Sequence, residues 1–428
     1  MFMKAALKIR NSRAQLRGVF ATILLTINGL ASHGQVISLD SVLSRIDRHN
    51  LMLMEYGSKA QALDSYAEGA KSWMAPMVGV GPYWYPYPGE SVMSEAEKGM
   101  FMASIEQEIP NPAKQNAKRN YFASRAGVEH QNRAIQLNLL RSDAKTLYYR
   151  WLVAEKRMRL LRENEEIVEL MLKLARIRYP YNQGSLGNIY KIEGRLHEVQ
   201  NMMLMTTADI EESSFRLKSL MNVQLDDSIM VDTTTVVHFD PNQVAYDTAV
   251  LGDQRSDVKQ IDESIAVMRL NQQLQRTQSK PDFRIRFEHM YPRGEGMPKQ
   301  FSAMAMVTIP IAPWSSKMYK AEVKGMHYDI EAMKKGREAI LIEARGMLSG
   351  MGNQIASMQQ QLINYETKII PALRKNYETL MLAYEENREQ LPIVIDGYEA
   401  MNITQLEYLD KLGTYFTMIV GYERELNK

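Results

Sequence analysis

The side chains of this sequence that are able to do chemistry sit in short alternating stretches. Asp282, Arg284, Arg286 and Glu288 alternate with Phe283, Ile285 and Phe287, and an earlier stretch places Glu106 and Glu108 in the same way. Charges at period two share one face of an extended strand, so they can line a wetted surface and attract or repel ions there. Met304 and Met306 alternate onto the same kind of face near His289, Met290 and Met297, and thioether sulfur is a soft-metal ligand. Methionine is also abundant throughout, 30 of 428 residues, including positions where it would fill gaps in a core. Both readings of the methionines stand at this point. Covalent chemistry is not written into the chain: it has no phosphate-cradling glycine loop, no nucleophile elbow and no Cys/His dyad. No histidine pair stands at helical spacing beside a carboxylate. The chain reads as a non-enzyme without cofactor or metal site.

The elements that carry these residues are strands, and they come twice. Phe101-Met102-Ala103 through Ile109-Pro110 returns two hundred positions later as Phe301-Ser302-Ala303 through Ile309-Pro310. Strands are predicted at about 77–87 and 100–109, and again at about 281–291 and 300–310. After a turn containing Gly294 and Gly296, Phe301, Ala303, Ala305, Val307 and Ile309 form one face, opposed by Ser302, Met304, Met306 and Thr308. Each strand runs about 10 residues, the length a tilted strand needs to cross a bilayer. Tyr83, Trp84, Tyr85 and Tyr87 gather near the first turn, as interfacial aromatics would. A half-buried soluble sheet also alternates, but four such strands, duplicated, point to a membrane and a pore. The even-numbered face, with Glu106, Glu108, Arg284, Arg286, Glu288, Met304 and Met306, is then the lumen, because a charge facing lipid at midplane costs roughly 2 to 4 kcal/mol.

Composition agrees with export. Lys4, Lys8, Arg10, Arg13 and Arg17 precede an apolar run from Val19 to Ala31 and small residues before Gln35, the pattern of a secretory signal over residues 1–34. That run is shorter than the roughly 20 residues of a spanning helix, and no other segment is apolar enough to be one. The formal charge of +2, with both signs interspersed, leaves no basic face for nucleic acid. The absence of cysteine excludes disulfides, thiolate metal sites and a lipid-modified N-terminal Cys. An exported chain with amphipathic strands and no spanning helix fits the outer membrane of a diderm bacterium.

Long helices frame the hairpins. From about Lys114 to Arg178, Leu140, Leu147, Ala154, Leu161, Val168 and Ala175 recur every seven residues, with Ala144, Trp151, Met158 and Leu172 interleaved. Leu341, Leu348, Ile355, Leu362 and Ile369 repeat this, interleaved with Ala344, Met351, Met358, Tyr365 and Ala372. A helix of about 65 residues would run roughly 100 Å. Breaks follow at matching places, Tyr179 to Leu186 and Tyr384 to Leu391, and a further helix follows each. Residues 35–222 and 255–428 therefore form two repeats, joined by an acidic connector, 223–254, of short elements packed outside the helices.

The duplicated order of helix, hairpin, long helix, turn and helix, the repeated Ile-Pro at the strand-to-helix corners and the Tyr-x6-Leu turns resemble the TolC-type outer membrane efflux proteins. Ile369-Ile370-Pro371-Ala372 followed by Ala383-Tyr384 is similar to the subgroup that accompanies heavy-metal exporters. The resemblance implies a mostly α fold with a small β contribution: a homotrimer with a twelve-stranded transmembrane β-barrel, four strands per subunit, on an α-helical barrel. It implies an outer membrane lipid environment, a periplasmic adaptor and an inner-membrane pump of the RND type, passing metal ions or small toxic molecules. It also implies a periplasmic gate at the turns, where the family often places acidic residues. Asp396 falls on one such position and Ile393 on the other; Asn188 and Lys191 hold the equivalents in the first turn. Asp396 reads either as a constriction charge or as a solvated carboxylate at a helix start. The alternative for the whole chain is a periplasmic coiled-coil adaptor or interaction protein.

Overall fold

The computed structural model describes residues 35–227, 229–234, 239–240, 247–310 and 312–428. The expected signal segment and part of the connector lie outside the described residues. In chain order the elements are β1 (Gln35–Ile37), α1 (Leu39–His49), α2 (Leu51–Gly69), β2 (Met77–Tyr83), β3 (Met100–Ile109), α3 (Pro112–Arg178) and α4 (Leu186–Leu220). They continue with β4 (Ile229–Val231), α5 (Thr248–Gln254), α6 (Ser256–Arg276), β5 (Asp282–Pro292), β6 (Gln300–Thr308), α7 (Pro313–Asn364), α8 (Ile370–Glu385) and α9 (Leu391–Glu425). The chain sorts into two compact units. One gathers the residues up to Asn50 with Leu140–Phe239 and Ile355–Val420; the other gathers Leu51–Leu139, Asp240–Gln354 and Gly421–Lys428. Each unit draws on both sequence halves, and α3 and α7 contribute to both, so the division needs no linker.

The second unit holds a four-stranded antiparallel sheet in the order β2-β3-β5-β6. The two hairpins pair through β3 and β5, with Ile109 opposite Phe283 and Met100 opposite Pro292. β2 stops at Tyr83, four residues short of the predicted end. Trp84 takes a left-handed φ of 56°, which turns the chain out of the ladder, and Pro86 and Pro88 have no N–H with which to continue it. The two hairpin loops hold each other: Arg293 N–H donates to the Gly99 carbonyl at 3.0 Å and Glu295 N–H to the Glu95 carboxylate at 2.6 Å. Gly294 lies so close to the Glu95 carbonyl that a Cβ would collide with backbone.

At the other end of the sheet β3 and β6 each lead into a helix after an Ile-Pro pair. Asn111 caps α3 by accepting from Ala113 N–H at 3.0 Å, and its amide donates to the Pro281 carbonyl at 2.8 Å. Lys114 binds both carboxylate oxygens of Asp282 at 2.7 Å. These contacts fix the corner between the first strand-to-helix junction and the start of β5.

The first unit is a helical bundle with a short parallel pair, β1 with β4, which the sequence reading did not anticipate. The predicted heptad residues of α3 from Leu140 to Ala175 are all buried, and so are Ile355 and Leu362 of α7. Beyond Leu362 the second stripe departs from expectation: Ile369 is 40% exposed and Ala372 is exposed. The cause is a π-helical turn, Tyr365–Ile369. Ile370 N–H donates to the Tyr365 carbonyl, five residues back, which inserts one extra residue into the winding. Pro371 explains its place, since an α-helical path would aim the proline ring at the Thr367 carbonyl with no N–H to offer it. The stripe resumes one residue later: Leu373 and Leu380 pack against the core that buries Tyr377, Met381 and Tyr384.

Candidate functional site

In the sheet, register puts every predicted lumen residue on one face. Glu106 faces Arg286 and Glu108 faces Arg284 across β3 and β5, while Arg284 and Arg286 face Met306 and Met304 across β5 and β6. The charges pair along this face: Arg284 with Glu106 at 3.0 Å, Arg286 with Glu106 at 3.9 Å, and Arg286 with Glu288 at 2.7 Å. Glu288 is only 7% exposed, and its partner Arg286 offsets the cost of that burial. The opposite face carries Val78, Val80, Ile105, Phe283, Ile285, Phe287, Phe301 and Val307, all exposed, with Val78 and Phe301 at 72%. A soluble sheet buries its apolar face and wets its charged one; here the apolar face lies open and the charged face is partly covered. The strands β2 and β6 each leave one edge without a partner in the sheet.

His289 pairs across the strands with Ala103 and Phe301, so it belongs to the apolar face, opposite to Met304 and Met306. Its odd number decides this, because side chains alternate across a strand. Among the described residues no group of three or more His, Asp and Glu is placed to hold a metal.

The turns, in the first unit, repeat each other closely. Asn182 and Asn387 both adopt left-handed backbone, with φ of 60° and 59°. Their N–H groups donate to the Tyr179 and Tyr384 carbonyls, each at 3.0 Å. The next residues, Gln183 and Arg388, donate to Arg178 and Ala383 at 3.3 and 2.8 Å. Both are helix ends closed by an αL residue, and a new helix starts at Leu186 and at Leu391. Asn188 and Ile393 then occupy the same place: their N–H groups donate to the Ser185 and Gln390 carbonyls at 3.1 Å. Ile393 is exposed; Asn188 also reaches the Ser185 hydroxyl at 3.3 Å.

Lys191 and Asp396 occupy equivalent positions and face each other, Nζ to Oδ1 at 3.4 Å, with Lys191 also 3.8 Å from Glu399. Arg195 extends the network to Glu399 at 2.9 Å and Glu198 at 2.6 Å. Asp396 lies in the second turn of α9, beyond the reach of the helix-start dipole. Its side chain is 71% exposed, so it is a solvent-facing charge with a lysine beside it.

Several residues that hold this region were not legible as functional. Arg178 donates to the Tyr384 and Glu385 carbonyls at 2.7 and 3.0 Å and lies 4.2 Å from the Tyr384 ring centre; it caps the end of α8 from the other turn. Tyr377 and Tyr398 stack edge to face in the core. Burial pushes the Tyr377 hydroxyl up to about 12 and raises Tyr398 as well, whose buried hydroxyl has no partner among the described residues. At the π turn, Glu366 accepts from Tyr408, and Tyr365 is raised first by its hydrogen bond to Glu407. For Arg178 and Tyr384 the only sequence signal was their position beside the breaks.

No model of a known protein family matches the sequence, and no curated protein matches it. Solved structures do. The outer membrane protein VceC from Vibrio cholerae aligns with a TM-score of 0.70 at 12% identity, over 91% of this chain and 96% of that one. The CmeC outer membrane channel of Campylobacter jejuni gives 0.71 at 13%, over 91% and 85%. CusC, described in work on folding and transmembrane channel formation, gives 0.66 at 11%, over 91% of each chain. The likeness is one of fold, and it spans nearly the whole of both partners.

Proposed function

We propose that this chain, which has the fold of the TolC-type outer membrane channels, is the passive exit duct of a tripartite efflux system. The observation that carries the reading is the inside-out sheet: an open apolar face, a charged face with Glu106, Arg284, Arg286 and Glu288 in mutual contact, and two unpaired edges. Unpaired backbone groups are costly in lipid. Four antiparallel strands leave β2 and β6 running in opposite directions, so copies related by rotation pair β6 to β2 antiparallel and close a barrel. Three copies give twelve strands, with the charged faces inward and the apolar faces against outer membrane lipid.

The periplasmic helices then meet an adaptor at the turns, and an inner-membrane pump supplies the energy, since the sequence carries no phosphate-cradling glycine loop. The RND type of pump and a metal-ion cargo rest on the subgroup resemblance around Pro371 and Tyr384; small toxic molecules are the other cargo. Asp396, with Lys191 beside it, gives the gate a ring of partly compensated charge, and Ile393 and Asn188 contribute an apolar and a neutral polar position. No observation favours the adaptor reading, which would leave the apolar face of the sheet in water.

The test is single-channel conductance of the detergent-purified protein in planar bilayers. Discrete conducting events from a membrane-extracted trimer are expected. A water-soluble protein that gives none would overturn the proposal.

A further inference from the structure

We propose that Met100, Met102 and Met290 form a thioether site for a soft monovalent cation, Cu(I) or Ag(I), on the charged face of the sheet. Met102 and Met290 are direct cross-strand partners, and opposite residues of an antiparallel pair hold their Cβ atoms about 4.5 to 5.5 Å apart. Met100 stands two residues along β3, on the same face, roughly 7 Å away by strand rise. Methionine is unbranched, with three rotatable bonds, so three sulfurs at these spacings are able to converge on one ion. Met100 is 8% exposed, and Met102 and Met290 are half-buried, which shields such an ion from competing water.

The setting separates these residues from gap-filling methionines. They stand in a regular ladder on a face whose next row is Ser104 opposite Glu288, so polar side chains follow them directly along the strands. The other pair on this face is less suited: Met304 and Met306 stand opposite Arg286 and Arg284, whose guanidinium groups repel a cation. Neutral thioethers bind soft ions and leave hard or borderline ions to carboxylate and imidazole, so Zn(II) is excluded. The site is near the hairpin loops, and its placement at the outer mouth of a channel rests on the proposed function; the binding itself does not.

The experiment is calorimetric titration of the full-length, detergent-purified protein with Ag(I) in chloride-free buffer, with conductance recorded on the same preparation. One saturable Ag(I) per subunit is expected, weakened at least tenfold in Met100→Leu/Met102→Leu/Met290→Leu and unchanged in Met304→Leu/Met306→Leu, with no heat from Zn(II). Met290→Leu alone covers the case of a triple variant that fails to fold, and a several-fold weakening is expected there. The absence of a saturable site in the wild type, or equal binding by the variants, would overturn the proposal. Conductance without binding removes the site and leaves the channel; binding without conductance does the reverse.

Discussion

The two turns share a backbone and differ in side chains. Asn182 and Asn387 close their helices in the same αL geometry, yet Arg178 crosses to cap the carbonyls of the second turn, whereas Ala383, its counterpart, has nothing to reach back with. Lys191 and Asp396 are likewise equivalent in place and opposite in charge. The same contrast runs up the helices, since α3 continues unbroken while its counterpart passes through a π turn before Pro371. Duplication has kept the path of the chain and released the side chains, so two copies of one element have become two partners.

The largest effect should come from the helical stripe on either side of the π turn. Ile355→Ala, at a fully buried position, should cost about 2 to 5 kcal/mol. Ile369→Ala, two heptads later in sequence but turned outward, should cost under about 1 kcal/mol. Denaturant unfolding in detergent measures both, and equal losses would mean that the stripe does not shift.

Next is the one-way cap. Arg178→Ala removes two charge-assisted hydrogen bonds and a ring contact, and should destabilise by about 2 to 3 kcal/mol while raising the open probability in bilayer recordings. Ala383→Arg should not restore either quantity in that background, if the asymmetry between the turns is real.

Tyr398→Phe removes an unpartnered buried hydroxyl and should be neutral or stabilising by about 1 kcal/mol. Its position in the first turn is held by Glu193, which pairs with Arg176. The tyrosines also set a pH dependence. Tyr377 keeps its proton to about pH 12 in the folded chain, against about 10 in the unfolded one. Its contribution is therefore complete below pH 10 and is lost as pH rises from 10 to 12. Thermal melts across this range should fall less steeply in Tyr377→Phe.

The smallest change in stability belongs to the exposed pair, worth about 0 to 1 kcal/mol, but its effect on conduction should be opposite for the two partners. Block by added di- and trivalent cations should weaken in Asp396→Asn and strengthen in Lys191→Ala. Identical block in both variants would remove Asp396 from the conduction path.

Much of this was legible because it follows from local periodicity. Alternation placed Glu106, Glu108, Arg284, Arg286 and Glu288 on one face, and the heptads placed Leu140 to Ala175 in the seam, since a strand's period of two and a helix's 3.6 are properties of the backbone. The Tyr-x6-Leu spacing located both turns to within about two residues. The early end of β2 and the shifted stripe after Leu362 were written less openly, because a proline announces a disturbance without saying whether the chain will kink, bulge or stop.

What the sequence determined by itself was therefore the duplicated order of hairpins and long helices, and the face on which the strand side chains and the helical stripe up to Leu362 lie. Only the tertiary structure decided which faces meet: that β3 joins β5, that Met102 stands opposite Met290, that Lys191 stands beside Asp396, and that Arg178 closes another helix's end. These are pairings between residues about two hundred positions apart, and the register between distant segments is set by packing and by matching of hydrogen-bond donors to acceptors, neither of which leaves a periodic mark in either segment alone.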